Sequence, residues 1–249
     1  MERSRLLRIA HRGASGHCPE NTRVAFVRAI ELGADMIELD CQMTRDGAVV
    51  VIHDDTLDRT TSGRGHVRER TLRELKALDA GSWFAARFSG EEILTLEEAI
   101  EILRGKAELN LEIKGDDAPG RLEIQCVGIV RSLRFSDSTV FSSFAPERMR
   151  LVRDLADDAR IGVLMDDGTD WQVGLQLAAE VQAEALHPAR SLASAAAFER
   201  AHDHDLEVRV WPVNRPVDME ALVAIGVDGI FSDYPDRLLH LTAARAVSR

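Results

Sequence analysis

The chain has 249 residues, 45% of them hydrophobic and 29% charged, with a formal net charge of -11 at pH 7. That length suits one α/β domain whose core needs no staples, and the acidic balance excludes a basic nucleic-acid footprint. The three cysteines, Cys18, Cys41 and Cys126, match no zinc spacing and imply reduced thiols in a cytoplasmic protein. No apolar run reaches membrane-spanning length and the start lacks the apolar stretch of a signal peptide, so no stable membrane association is expected.

The first strand is expected at 6–11, "LLRIAH". It runs straight into the polar stretch "RGASGHCPENT", where Asn21 is placed as N-cap of the helix "TRVAFVRAIELG". A second strand follows at 35–41. The next strand-like run, 48–55, comes after only "RDG", too few residues for a parallel crossover, so the two form an antiparallel hairpin. A two-residue turn at Asp46-Gly47 puts His53 directly across from Asp40. Residues 54–93 stand outside any repeat and read as an insertion subdomain, a small lid beside the main fold. Within it Thr71 and Glu74 form a capping box, and Thr95 with Glu98 forms a second where the repeat resumes. Strands at 108–114, 138–144, 159–165, 184–188, 207–213 and 228–233 then alternate with helices whose apolar residues recur at three- and four-residue spacing. Strand–helix alternation repeated in this way is the pattern of a TIM (β/α)₈ barrel, with the insertion after the strand 2 hairpin.

Catalytic groups of such barrels gather at the C-terminal ends of the strands. Glu38 and Asp40 share one face of the second strand, and Asn110, Glu112 and Lys114 share one face of the fourth. Each carboxylate alone could be a paired structural residue. Three of them turned inward at one end of a barrel cost several kcal/mol unless neutralised, and a hard divalent cation, Mg²⁺ or Ca²⁺, takes oxygen ligands of this kind. His11 and His53 flank the cluster. Either alone would read as a satisfied structural histidine; as a pair beside carboxylates they can divide acid and base work. Arg12 and Lys114 are then cations for an anionic substrate, and the set suits cleavage of a phosphate ester.

These residues also carry a resemblance. "HRG" with "PENT", "GADMIELDCQMTRDG" with "VVIHDDTLDRTT", "TLRELKALDAGSWF", "LTLEEAI", "NLEIK", "SSF", "WPVN" and "GVDGIFSDYP" follow one another through nearly the whole chain. In this combination the chain resembles the bacterial, cytoplasmic-type glycerophosphodiester phosphodiesterases. The resemblance implies metal-dependent hydrolysis of glycerophosphodiesters to sn-glycerol 3-phosphate and an alcohol. Carried over by motif, it implies His11 and His53 as the acid–base pair, Glu38, Asp40 and Glu112 as metal ligands, and Arg12 and Lys114 as phosphate binders. It adds Glu20, Phe144 and Trp211 as pocket residues. Leu94 and Pro212 depart from the family's usual proline and threonine, away from the chemistry. Two other readings compete: a lysophospholipase D acting on lysolipids, and a noncatalytic barrel that binds a phosphorylated ligand. Head group, native metal, oligomeric state and nucleophile (water or the substrate's own glycerol hydroxyl) are left open.

Overall fold

The computed structural model describes residues 5–115, 120–239 and 241. Its strands are β1 (Leu7–His11), β2 (Met36–Met43), the short β3 (Val49–Val51), β4 (Glu108–Ile113), β5 (Thr139–Ser143), β6 (Arg160–Met165), β7 (Ala185–Pro188), β8 (Glu207–Val210) and β9 (Gly229–Ser232). All but β3 pair in parallel, in the order β1-β9-β8-β7-β6-β5-β4-β2, and a β1–β2 pairing closes the ring. The TIM barrel expected from the alternation is therefore present. Helices lie between the strands in the chain, among them α1 (Arg23–Glu31), α2 (Leu72–Lys76), α3 (Leu96–Leu103) and α4 (Arg121–Ser132).

Alternation along each strand divides the side chains. Ile37, Leu39, Leu109, Leu111, Phe141 and Ile161 point outward into the continuous core under the helices. Each such fully buried side chain contributes roughly 1.5–3 kcal/mol relative to exposure. Ile9, Met36, Val140 and Phe231 point inward and fill the middle of the barrel. Beneath them the N-terminal end is closed by charge: Arg160 donates to Glu108 and Glu184, and Arg209 to Glu184 and Glu207.

The hairpin differs from expectation by one residue. Cys41 faces Val51, Gln42 faces Val50 and Met43 faces Val49. Asp40 therefore stands across from Ile52, whose N–H donates to the Asp40 carbonyl at 2.9 Å, and not across from His53. The cause is a three-residue turn, Arg45-Asp46-Gly47, closed by the Thr44 N–H on the Ala48 carbonyl at 2.9 Å. Gly47 takes φ +89, the left-handed position such loops require. Asp46 is occupied elsewhere, accepting from Thr44 Oγ1 and from the Leu72 N–H that opens α2.

β3 takes the edge of β2 that β1 vacates. β1 pairs with β2 as far as His11–Glu38, and β3 begins to pair at Cys41. Past Val51 the chain bends to the barrel mouth, gathered by the Gln42 amide, which donates to the carbonyls of Ile52, His53 and Asp54. In the stretch that follows, Leu57, Val67, Leu75, Ala80 and Ile93 bury a small core with Val50 and Ile52, separate from that of the barrel. Both capping boxes form as expected. The three cysteines are free and buried.

Candidate active site

Glu38, Asp40 and Glu112 converge because β2 and β4 run side by side in register. Asp40 pairs with Glu112 and Glu38 with Asn110, all turned into the mouth. Carboxylate oxygens of the three acids lie within 4.8 Å of one another, and all three residues are buried. Lys114 Nζ donates to Glu112 Oε1 at 2.9 Å and lies 3.8 Å from Asp40 Oδ1. Asn21 Nδ2 donates to Asp40 Oδ2 at 2.8 Å. Asn21 is thus not the N-cap of α1; Thr22 is, accepting from the Ala25 N–H, while Asn21 sits at φ 57 with its side chain turned to the acids.

Arg12 also adopts a left-handed conformation, φ 56, uncommon for a residue with a side chain. Its N–H donates to Glu38 Oε2 at 2.7 Å, and its guanidinium lies 3.3 Å from Asp40 Oδ2. Its Nη1 donates to Glu20 Oε1 at 2.9 Å. Two cations, Arg12 and Lys114, face three acids, so one negative charge is left over. The consequence falls on Glu38. Burial, and next the Asp40 charge, push its carboxyl from 4.5 up to about 8. Burial and Asp40 likewise raise Glu112. Burial works against the Asp40 carboxylate, yet Arg12 and Lys114 together hold its pKa below the ordinary value. Glu38 Oε1 and Asp40 Oδ1 are buried and accept no hydrogen bond. Orphaned carboxyl oxygens with no nitrogen or sulfur donor among them fit a hard divalent cation.

The two histidines line the same cleft as Glu38 and Glu112 and are held alike, each by a carboxylate on Nδ1. His11 Nδ1 lies 2.7 Å from Asp233 Oδ1, and His53 Nδ1 lies 2.7 Å from Asp54 Oδ1. Their titration diverges. Burial opposes charge on His11, but Glu38 and the Asp233 hydrogen bond outweigh it and raise the pKa. On His53 burial prevails, aided by the Arg12 and Lys114 charges, and the pKa falls despite Asp40. Asp54 is in turn clasped by Arg59, whose Nε and Nη2 donate at 2.6 and 2.8 Å, while Nη1 and Nη2 of the same guanidinium reach Glu20 at 2.7 and 2.9 Å.

His11, Arg12, Glu38, His53, Glu112, Lys114, Phe144 and Trp211 all line one cleft, together with Asn110, Leu164 and Phe231. Phe144 and Trp211 meet edge to face, ring centroids 5.2 Å apart, on its apolar side. Glu20 does not line this cleft; both its oxygens are taken by Arg12 and Arg59, and it reaches the site through them. Asp54, Arg59, Asp233 and Asn214 are bound into the site without having been singled out in the sequence. For Asp54 a signal existed in its place beside His53; Asp233 lies 222 residues from its partner. Between β3 and α3, Trp83, Phe84 and Phe88 pack edge to face along the chain, at 5.6 and 5.7 Å, and do not line the cleft.

A closed parallel barrel with paired histidines and a carboxylate cluster at its mouth is built as a TIM-barrel enzyme. Residues 11–237 match the Glycerophosphoryl diester phosphodiesterase family, and the chain belongs to that family. A glycerophosphodiester phosphodiesterase of Caldanaerobacter subterraneus subsp. tengcongensis is 42% identical over 238 residues, covering 94% of this chain and 96% of that one. Among solved structures, a glycerophosphodiester phosphodiesterase from Agrobacterium tumefaciens is similar at 32% identity and TM-score 0.80, covering 92% of this chain and 96% of its own. An Oleispira antarctica phosphodiesterase in complex with the product sn-glycerol-3-phosphate is similar at 29% identity and TM-score 0.86, with 99% and 98% covered. No helix among the described residues is long and apolar enough to cross a membrane.

Proposed function

We propose that the protein hydrolyses glycerophosphodiesters to sn-glycerol 3-phosphate and an alcohol, with a divalent cation, Mg²⁺ or Ca²⁺, held by Glu38, Asp40 and Glu112. The observation that carries this reading is the buried carboxylate trio with orphaned oxygens, in one cleft with two histidines and two cations. Bound there, the cation would neutralise the surplus negative charge and draw charge from the phosphoryl oxygens. Arg12 and Lys114 hold the phosphodiester. His53, kept neutral by its surroundings, takes the proton of the attacking hydroxyl, whether water or the substrate's glycerol. His11, biased toward its charged form, gives a proton to the departing alkoxide. Phe144 and Trp211 wall the side where the alcohol group lies. Residues 54–93 act as one subdomain flanking the mouth, and the enzyme meets a soluble substrate in the cytoplasm.

The test is to assay glycerophosphocholine beside lysophosphatidylcholine, before and after chelation and with Mg²⁺ or Ca²⁺ restored. The reading expects turnover of glycerophosphocholine that chelation abolishes and either ion restores. Preference for the lysolipid would make the protein a lysophospholipase D. Tight binding with no turnover would make it a noncatalytic binding barrel. Full activity in the metal-free protein would remove the cation from the account.

A further inference from the structure

Asp233 of "FSDYP", Asn214 of "WPVN" and Ser15 of "HRGAS" have no place in the mechanism above, yet they form one cluster against His11. Asp233, just past the end of β9, accepts from Ser15 Oγ and lies against His11 Nδ1 with the same oxygen, Oδ1, at 3.0 and 2.7 Å. Its other oxygen, Oδ2, accepts from Asn214 Nδ2 at 2.6 Å. The Asn214 side-chain oxygen, Oδ1, accepts in return from the Asp233 N–H at 2.9 Å and from Ser232 Oγ at 3.1 Å. The Asn214 backbone is itself pinned, its carbonyl accepting from Arg237 Nη1 at 2.6 Å. Ser15 Oγ also lies 2.7 Å from the His11 carbonyl, so its one hydrogen is shared between that oxygen and Asp233 Oδ1. The carboxylate therefore has a fixed plane, and only one of its neighbours is a reacting group.

We propose that Asp233 is the positioning residue of His11, fixing the imidazole as its Nδ1–H tautomer with Nε2 turned to the cleft, and that Asn214 fixes Asp233. This rests on the assignment of His11 to proton transfer. A carboxylate can only accept, so the ring nitrogen beside it carries the hydrogen, and Nε2 is left as the atom that exchanges a proton with the substrate. Asp54 serves His53 by the same contact but is anchored differently, by an arginine fork instead of an amide. The two histidines can therefore be perturbed separately.

The experiment uses the Mg²⁺-loaded protein. Histidine ¹⁵N spectra of the unsubstituted chain, taken at a pH where His11 is neutral, should show hydrogen on Nδ1. An Nε2–H tautomer would overturn the proposal with no variant needed. In Asp233→Asn the new amide can donate to Nδ1, favouring the opposite tautomer. It should lower kcat on glycerophosphocholine by about 10²–10⁴-fold, with KM changed by less than roughly threefold. In a His11→Ala background the same substitution should cost less than roughly threefold more, because the group it positions is gone. A merely structural Asp233 would give equal losses in both backgrounds, or a shift in KM, and either result would refute the proposal. If His11→Ala alone keeps normal kcat, it is the assignment of His11 that fails, while the tautomer measurement still decides the contact with Asp233. Asp233→Glu, which keeps an acceptor, should recover part of the kcat lost in Asp233→Asn; no recovery in a folded Asp233→Glu protein counts against the proposal.

Discussion

Replacing Glu38 by Gln should abolish turnover and at the same time make the metal-free protein more stable above neutral pH. Glu38 is where the surplus negative charge of the trio is felt, and its carboxyl titrates near 8 in the folded chain against an ordinary 4.5. Between those values the folded protein holds a proton that the unfolded chain has released, so stability falls as pH rises through that window. At about 1.4 kcal/mol per pKa unit the loss is on the order of a few kcal/mol. Gln keeps an acceptor for the Arg12 N–H and carries no charge, so it sheds this loss. For a chain of this size, where 1 kcal/mol moves Tm by roughly 2–4 °C, the variant in EDTA at pH 8.5 should melt roughly 10–20 °C above the unsubstituted protein. At pH 5, where Glu38 is protonated in the folded chain, the gap should close. Mg²⁺ or Ca²⁺ at about 100-fold above Kd should raise the unsubstituted protein by about 2.7 kcal/mol and the variant by less. Thermal melts across pH, with and without metal, read all three effects. A Gln variant less stable than the unsubstituted protein in EDTA at pH 8.5 would refute the reasoning, since it would mean that the trio is content without a cation.

His53→Ala should leave a folded protein and lower kcat by ~10²–10⁴-fold; a folded variant with near-normal kcat would take His53 out of the reaction. Gly162→Ala on β6 should lower Tm by roughly 2–10 °C, for an overpacking cost of about 1–3 kcal/mol, because the added Cβ would lie 2.2 Å from Cε1 of the buried His187 ring; an unchanged melt would show that the ring can move aside. Glycerophosphocholine, glycerophosphoethanolamine and glycerophosphoglycerol should be cleaved with kcat/KM within roughly tenfold, ~1.4 kcal/mol, because the charged groups grip the part these substrates share. A wider spread, measured side by side, would point to a head-group contact at the mouth.

Much of this site could be read from period-two alternation alone. Glu38 with Asp40, and Asn110, Glu112 and Lys114, were placed on shared faces by strand geometry, and the parallel register of β2 and β4 brought the faces together. The hairpin departs from expectation because Asp46-Gly47 resembles a two-residue turn in sequence. Asp46 is instead committed to Thr44 and Leu72, and that tertiary tie favours a three-residue loop. His53 reaches the cleft all the same, since the Gln42 amide, not the strand register, sets the chain beyond Val51. Asn21 resembles a cap because an asparagine before a helix has that local use, whereas its partner, Asp40, arrives from the next strand. Asp233 and Asn214 had no local signature. Their role exists only once barrel closure sets β9 beside β1.

The Arg–Glu girdle at the far end, with Ile9, Met36, Val140 and Phe231 stacked above it, makes the barrel, among the described residues, a vessel with a single door. Both products must leave by the way the substrate came, and so they queue. On the proposed reading the alcohol stands nearest the exit, beside Phe144, and leaves first. Glycerol 3-phosphate, gripped by Arg12 and Lys114 below, leaves last and hands the empty site to the next substrate. It should then inhibit competitively against glycerophosphocholine while choline does not; competitive inhibition by choline alone would reverse the queue.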